Sequence, residues 1–144
     1  MAVPARVSIV TLGVADLERS KRFYEALGWE VVPSSVPGEI FWFRTADTYV
    51  GIFGYEALAE DGHMKPGRGD GFNGVTLAIC LESDDAVIAA MEDAVAAGGT
   101  VLKEPHQAIF DGLSGYFADP DGYAWEVAHN PHFPLGDDGR ITIP

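Results

Sequence analysis

The order of apolar and polar residues predicts short strands in which bulky and small side chains alternate. The sequence RVSIVTLGV at residues 6–14 is rich in β-branched residues and almost continuously apolar, which is typical of a buried strand. Successive strand residues point to opposite sides of a sheet, so one face carries Val10, Leu12 and Val14, and the other carries Ile9, Thr11 and Gly13. The same split recurs in later strands. We expect the bulky faces to pack under helices and the small faces to line a concavity.

The predicted elements follow the order strand, helix and three strands, and this order occurs twice. The first set is a strand at 6–14, a helix from Asp16 as cap to Gly28 as stop, and strands at 30–32, 39–44 and 48–53. The second set is a strand at 74–81, a helix at 83–97, and strands at 100–102, 114–118 and 123–128.

This repeat predicts an α+β fold. We expect one domain over residues 1–144, built from two βαβββ modules at about 5–55 and 72–130. Each module would be a four-stranded mixed sheet with a helix on one face. Residues 56–71 begin as a possible helical turn and become Gly-rich and charged, which indicates a linker. Residues 131–144 form a Pro- and Gly-rich tail.

Composition narrows the choice of partners. The formal net charge is −13, which disfavours nucleic acid and anionic membrane surfaces. No apolar run approaches the roughly 18 residues that a membrane span needs, and the first residues do not resemble a signal peptide. The single cysteine, Cys80, suits a reducing compartment. We therefore expect a cytoplasmic protein with no nucleic-acid or membrane partner.

The run GYFADPDGYAWEVAHNP, at residues 115–131, places one carboxylate in an otherwise apolar strand. The DPDG segment has the residues that a type I turn prefers, and this turn sets the register of the strand after it. In that strand Glu126 lies between Ala124 and Ala128, on the face opposite the bulky residues. We expect Glu126 to look into a pocket. If this face is instead exposed, Glu126 is simply solvated.

Two segments, VTLGVADLERSKRFYEALGW and GYFADPDGYAWEVAHNP, together with the duplicated βαβββ order, resemble the vicinal oxygen chelate superfamily. This superfamily includes glyoxalase I, the bleomycin- and fosfomycin-resistance proteins and the extradiol dioxygenases. The resemblance covers about residues 6–131. It implies that each module curls into half of an open barrel-like cavity and that the concave side holds a small-molecule ligand.

The resemblance also implies where a metal would bind. Metal-dependent members place their ligands on the first and last strands of the two modules, which here correspond to Ile9, Gly51, Thr76 and Glu126. Only Glu126 is of a metal-ligand type, and a transition metal normally takes three or four His, Cys or carboxylate ligands. We therefore expect no metal cofactor. A divalent metal held through a non-standard site, with Glu126 as one ligand, is the alternative.

Other candidates lie on the small faces or in the loop before the third strand of the second module. His106, in the loop EPHQAIFDGLSG, could shuttle a proton, although a surface histidine is the commoner outcome. The remaining histidines form no spaced ligand cluster. Core packing is the default for the aromatic residues and for Cys80. The candidate ligand-binding residues are Ile9, Thr11, Trp42, Gly51, Phe53, Thr76, Phe110 and Tyr116.

Two classes of function remain open. The protein is either a metal-free binding module that sequesters a small molecule, for which an acidic pocket favours a basic or polar ligand, or an enzyme. As an enzyme of lyase, isomerase or dioxygenase type, it would use Glu126 as general base, with His106 as a second catalytic candidate. In either case half-covered modules leave apolar edges, and we expect a homodimer with two-fold symmetry.

Overall fold

A computed structural model describes residues 3–69 and 71–144 of the chain. The chain divides into two compact units, and the break between them falls after Gly67. Unit 1 contains β1 (Ile9–Val14), α1 (Leu17–Ala26), β2 (Ile40–Arg44), β3 (Tyr49–Gly54) and α2 (Tyr55–Asp61). Unit 2 contains β4 (Leu77–Cys80), α3 (Asp84–Ala96), β5 (Thr100–Gln107), β6 (Leu113–Ala118) and β7 (Ala124–Ala128).

The two sheets share one pattern of pairing. In unit 1 the strand order is β1-β3-β2, with β1 parallel to β3 and β2 antiparallel to it. In unit 2 the order is β4-β7-β6-β5, with β4 parallel to β7 and the other pairs antiparallel. Each sheet therefore joins its first strand to its last. The predicted α+β class with two mixed sheets is confirmed.

The bulky strand faces form the two cores under helices α1 and α3. In unit 1, Tyr24 of α1 packs its ring 5.5 Å from that of Phe43, and both side chains are fully buried. In unit 2, Val87 and Met91 of α3 and Val127 of β7 are buried. The stacked rings of Phe117 and Trp125 extend this second core. Trp125 is therefore a core residue, as its place on the bulky face predicts.

Local capping explains where both long helices begin. The Asp16 carboxylate accepts a hydrogen bond from the Arg19 amide at 3.0 Å, and the Ser83 hydroxyl accepts one from the Ala86 amide at the same distance. These bonds satisfy amides that a helix N-terminus leaves unpaired. Gly28 lies just beyond α1 with φ of 91°, a conformation that favours glycine.

Three strand predictions were wrong in extent. Residues 30–32 form only an isolated bridge between Val31 and Phe43, because Pro33 follows and has no N–H to extend a ladder. The strand at 74–81 is shorter and begins at Leu77, because the Val75 amide donates to the Asn73 side chain at 3.2 Å.

The strand predicted at 100–102 instead runs from Thr100 to Gln107 as β5. It passes through Pro105, which is possible because β5 is an edge strand and its register against β6 shifts twice. His106, expected in a loop, therefore lies on a strand.

The start of the predicted linker also takes part in the fold. Helix α2 lies against the first sheet, since a Cβ added at Gly13 would meet the Tyr55 Cα at 3.2 Å and the Leu58 side chain at 3.4 Å. Gly13 belongs to the small face of β1, so α2 covers one end of that face. Among the described residues no helix is long and apolar enough to cross a membrane.

Candidate functional site

The first candidate surface is the small face of the first sheet, which we call the Trp42 face. Cross-strand pairing defines its rows: Ile9, Tyr49 and Arg44 form one, and Thr11, Gly51 and Trp42 form the next. A third row contains Gly13, Phe53 and Ile40. Directly opposed residues lie on the same side of a sheet, so these side chains share one surface. Helix α2 lies over the third row and leaves the first two rows of the same face uncovered.

A pocket of about 350 Å³ lies at this uncovered end of the Trp42 face. Its walls are Ile9, Val32, Ser34, Trp42, Arg44 and Tyr49. Apolar and aromatic groups with a few polar ones are the usual lining of small-molecule sites, and the volume is at the lower end of the roughly 300–1,000 Å³ range for such sites. The lining carries one cation and no carboxylate.

The turn between β2 and β3 places Arg44 opposite Tyr49. The Thr45 hydroxyl donates to the Thr48 carbonyl at 2.6 Å and accepts from the Thr48 amide at 3.0 Å, so the turn is closed by its own side chain. The Tyr49 amide then donates to the Ser8 carbonyl at 3.1 Å, which ties the turn to the start of β1. The end of β2 and the starts of β3 and β1 are thereby held together.

Arg44 makes its contacts with Tyr49 on this fixed frame. Its Nη1 donates to the Tyr49 hydroxyl at 2.6 Å, and the guanidinium carbon lies 5.3 Å from the centre of the tyrosine ring. In the part of the chain that the structure describes, Arg44 forms no ion pair with a carboxylate. A guanidinium has five N–H donors, so most of them can bind a ligand.

The other wall of the pocket is held by backbone bonds to Trp42. The Val32 amide donates to the Trp42 carbonyl at 2.7 Å, and the Trp42 amide donates to the Ser35 hydroxyl at 3.0 Å. These bonds keep the segment around Ser34 beside the indole ring.

Gly51 lies in the middle of the Trp42 face under the tryptophan. A Cβ added there would lie 3.1 Å from Trp42 Cδ1 and 3.3 Å from Thr11 Oγ1. Both distances are tighter than ordinary van der Waals contact. A side chain at position 51 would therefore require the indole ring to shift.

The second candidate surface is the small face of the second sheet, which we call the Glu126 face. Pairing puts Ala78, Glu126 and Tyr116 in one row, and Cys80, Ala128 and Ser114 in the next. Helix α3 lies on the opposite side, since a Cβ added at Gly115, between Ser114 and Tyr116, would meet the Met91 sulfur at 3.3 Å. Glu126 itself is half-buried.

The Ser114 hydroxyl holds the Glu126 carboxylate by donating to Oε2 at 2.7 Å. Tyr116 lies opposite Glu126 on the neighbouring strand. Burial, and then the charge of Glu126, raise the pKa of the Tyr116 phenol and also that of the Cys80 thiol. The carboxylate therefore favours the protonated forms of both neighbours.

The predicted site residues divide between the two units. Ile9, Thr11, Trp42, Gly51 and Phe53 lie together on the Trp42 face. Tyr116 and Glu126 lie together on the Glu126 face, and exposed His106 pairs across the strands with Ser114.

Two predicted residues lie outside these sheets. Thr76 is exposed just before β4, and Phe110 lies half-buried in the loop between β5 and β6.

Sequence reasoning missed Arg44, Tyr49 and Ser114. Arg44 and Tyr49 are five positions apart and pair across a hairpin, and the segment RTADTY carries the turn signal that could have paired them. Ser114 was predicted within a strand, and its place beside Glu126 follows from the register that the DPDG turn sets.

Asp84, at the start of α3, contacts residues far along the chain. One of its oxygens accepts from the Leu113 amide at 3.0 Å and lies 2.8 Å from His129 Nδ1. The His129 hydrogen bond and then the Leu113 one lower the pKa of the Asp84 carboxyl. Asp84 thus joins the start of α3 to the start of β6 and the end of β7, and we interpret it as structural.

The four positions that the resemblance gives for a metal can be compared between the units. Gly51 lies opposite Thr11 in the first sheet, and Glu126 lies opposite Ala78 in the second. Ile9 comes two residues before Thr11 on β1, and Thr76 comes two residues before Ala78, just outside β4. Among the described residues, no group of three or more His, Cys, Asp or Glu side chains is placed to hold a metal ion. The donor set does not fit a transition metal.

Comparison with known proteins identifies the family. The model of the Glyoxalase/Bleomycin resistance protein/Dioxygenase superfamily matches residues 6–127. A solved glyoxalase-related enzyme from Fulvimarina pelagi is 35% identical over 97% of this chain and 99% of its own, with a TM-score of 0.86. A glyoxalase/bleomycin resistance protein from Albidiferax ferrireducens T118 is 30% identical over 87% of this chain and 98% of its own, with a TM-score of 0.63.

A lactoylglutathione lyase from Agrobacterium tumefaciens shares the fold, at 20% identity over 88% of this chain and 94% of its own and a TM-score of 0.62. The comparison with curated proteins finds no match. The chain belongs to the Glyoxalase/Bleomycin resistance protein/Dioxygenase superfamily.

Proposed function

We propose that this protein is a binding member of the superfamily, which holds a small molecule through its own side chains without the metal that the resemblance implies. The observation that carries the proposal is the packing around Gly51. The Trp42 ring stands 3.1 Å from where a side chain at that position would begin. A carboxylate ligand at position 51 would require Trp42 to move. The glycine at this position and the place of the ring therefore both support a site without a metal.

The other three positions support the proposal as well. Ile9 has no donor atom and Thr76 has only a hydroxyl, which is a poor ligand for a transition metal. Glu126 is the one carboxylate, and it already accepts a hydrogen bond from the Ser114 hydroxyl. A metal would have to displace this bond and find at least two further ligands.

Elemental analysis tests the proposal directly. We expect protein expressed in metal-supplemented medium to carry no stoichiometric nickel, zinc, iron or manganese after desalting. The matched variant is Glu126→Gln, which should have the same metal content as the wild type. One tightly held metal per chain would overturn the proposal, and loss of that metal in Glu126→Gln would identify a non-standard site.

A second candidate function is an enzyme that uses Glu126 as general base. The observation in its favour is a half-buried carboxylate held in a fixed position by Ser114, with Tyr116 beside it. His106 lies on the neighbouring strand opposite Ser114 and could exchange protons with solvent. The proposed ligand-binding residues Thr76 and Phe110 would then bind the substrate.

Recovery of the ligand separates the two candidates. A thermal-shift screen of metabolites would supply a ligand, and mass spectrometry would follow it during incubation with the protein. A binding protein returns the ligand unchanged. Conversion by the wild type that disappears in Glu126→Gln would instead establish the enzyme.

The expected homodimer and cytoplasmic location stay predictions. Light scattering should give about twice the chain mass of 15.4 kDa. A monomer at micromolar concentration would contradict the dimer.

A further inference from the structure

We infer that the pocket on the Trp42 face binds an oxyanion, a carboxylate or a phosphonate, attached to a small planar apolar group. This inference rests on the proposed function, because it takes the ligand to be held by side chains and not by a metal. It adds the chemical class of the ligand. It also differs from the basic ligand that the acidic sequence favours.

The charge of the pocket carries the first step. The whole chain has a formal net charge of −13, yet the six residues lining this pocket include Arg44 and no Asp or Glu. Arg44 forms no ion pair within the described part of the chain. A cation with unused donors therefore lines this pocket, and an oxyanion is the group that a guanidinium binds best, through paired hydrogen bonds.

The position of Arg44 carries the second step. The Tyr49 hydroxyl accepts one N–H of Arg44 at 2.6 Å, and the guanidinium lies over the tyrosine ring. The hairpin beneath is closed by Thr45 and Thr48 and tied to Ser8. The side chain is therefore oriented before a ligand arrives, so binding an anion costs less conformational entropy than it would with a free arginine.

The remaining walls determine what the anion is attached to. The indole of Trp42 and the side chains of Ile9 and Val32 present apolar surface beside the guanidinium. Ser34 and Tyr49 add hydroxyl groups that can donate to an anion or accept from a ligand hydroxyl. A flat ring fits a wall of this kind, because an aromatic face packs on another with an offset.

Simple probe molecules test this inference. We would titrate ¹⁵N-labelled protein with benzoate, phenylphosphonate, benzamide and benzylammonium, and follow the Trp42 indole N–H. We expect benzoate or phenylphosphonate to shift this resonance saturably, and benzamide and benzylammonium to bind at least tenfold more weakly, since a charge-assisted hydrogen bond contributes about that factor. If both anions bind, the site recognises oxyanions generally; if only benzoate binds, it is a carboxylate site.

Variants of Arg44 make the test specific. Arg44→Gln should weaken binding of the anion about tenfold or more, and Arg44→Lys should weaken it less, since lysine keeps the charge and loses the planar fork. The matched control is Arg22→Gln, which removes the same charge from an exposed position on helix α1 and should leave the affinity unchanged. If Arg44→Gln fails to fold, Arg44→Lys and the Arg22 control still decide the question.

The inference is overturned if neither anion shifts the Trp42 resonance, if benzylammonium binds as tightly as benzoate, or if both Arg44 variants bind like the wild type. These outcomes are distinct from failure of the proposed function. A stoichiometric metal found by elemental analysis would overturn the metal-free proposal whatever the anions do, whereas absent metal with no anion binding would overturn this inference alone.

Discussion

The hydrogen bond between Ser114 and Glu126 gives a prediction whose size can be worked out from the structure. Ser114 is 3% exposed, and its hydroxyl donates to the Glu126 carboxylate at 2.7 Å. Glu126→Leu would leave this buried hydroxyl without its acceptor, at a cost of about 1–3 kcal/mol. The added apolar surface of leucine at a half-buried site would recover up to about 1 kcal/mol. We expect Glu126→Leu to lower the free energy of unfolding by about 1–2 kcal/mol.

Glu126→Gln should behave differently, because glutamine keeps a carbonyl that can accept from Ser114. A neutral acceptor makes a weaker hydrogen bond than a charged one, which lowers stability, but removing a partly desolvated charge raises stability by roughly the same amount. The free energy of unfolding should therefore change by no more than about 1 kcal/mol. Ser114→Ala combined with Glu126→Leu removes both partners. The double variant should therefore be about 1 kcal/mol more stable than the sum of the two single changes predicts.

Urea denaturation followed by circular dichroism and by tryptophan fluorescence measures these differences. For a domain of this size a loss of 1–2 kcal/mol lowers the urea midpoint by about 0.5–1 M. Coincident transitions by the two probes are needed before the free energies are compared. Strict additivity in the double variant would refute the role of the Ser114 bond. A loss above about 2 kcal/mol in Glu126→Gln would show that the charge itself is structural, and the functional proposal for Glu126 would fail.

Three other predictions concern single positions. Burial and the charge of Glu126 raise the pKa of the Cys80 thiol, so iodoacetamide at about pH 8 should alkylate Cys80 more slowly than free cysteine. Glu126→Gln should speed the reaction. Equal rates in the wild type and the variant would refute the proximity of Glu126 to Cys80. A Cβ added at Gly112 would lie 1.7 Å from a backbone carbonyl oxygen, whereas one at Gly67 would meet nothing within 4 Å. Gly112→Ala should therefore cost about 1–3 kcal/mol or more in urea denaturation, and Gly67→Ala almost nothing; similar midpoints would contradict this packing. The lowered pKa of Asp84 gives stability that is present above about pH 4 and is lost as the pH falls through the lowered value. Asp84→Asn should therefore flatten the acid side of the plot of unfolding free energy against pH. An unchanged plot would count against this role of Asp84.

Much of the fold could be predicted because its signals are local. Asp16 and Ser83 cap the two long helices as their residue types indicate. The DPDG turn closes the hairpin of β6 and β7, where the Asp119 carboxylate accepts from the Asp121 amide at 3.0 Å and from the Tyr123 amide at 2.9 Å. Once this turn is fixed, the alternation of small and bulky residues determines which face carries Glu126.

The errors arose where tertiary contacts override local preference. Pro105 indicated the end of a strand, yet an edge position lets β5 continue past it to His106. The possible helical turn at the start of residues 56–71 belongs to a full helix, α2, whose Tyr55 and Leu58 pack on Gly13. No local pattern shows that this helix will cover one end of a sheet face, because that depends on packing between elements distant in the sequence.

The candidate site was the least predictable part for a related reason. Alternation in β2 puts Arg44 on the same face as Trp42, but it does not show that a pocket forms there. The segment RTADTY indicates the hairpin that pairs Arg44 with Tyr49. A surface built from three strands also needs the register of β1 against β3, which no local signal gives.

The two sheets carry different residues at corresponding positions, and this contrast bears on the proposal that no metal binds. Trp42 lies opposite Gly51 in one sheet, and Tyr116 lies opposite Glu126 in the other. In the second sheet the aromatic residue lies across the strand from the carboxylate, and burial and the charge of that carboxylate raise the pKa of its phenol. In the first sheet the aromatic residue is an indole that lies 3.1 Å from where a side chain at position 51 would begin, so an acid there would require the ring to shift. On the metal-free proposal the Trp42 face makes its contacts through side chains, and Arg44 is the charged group among the residues that line its pocket.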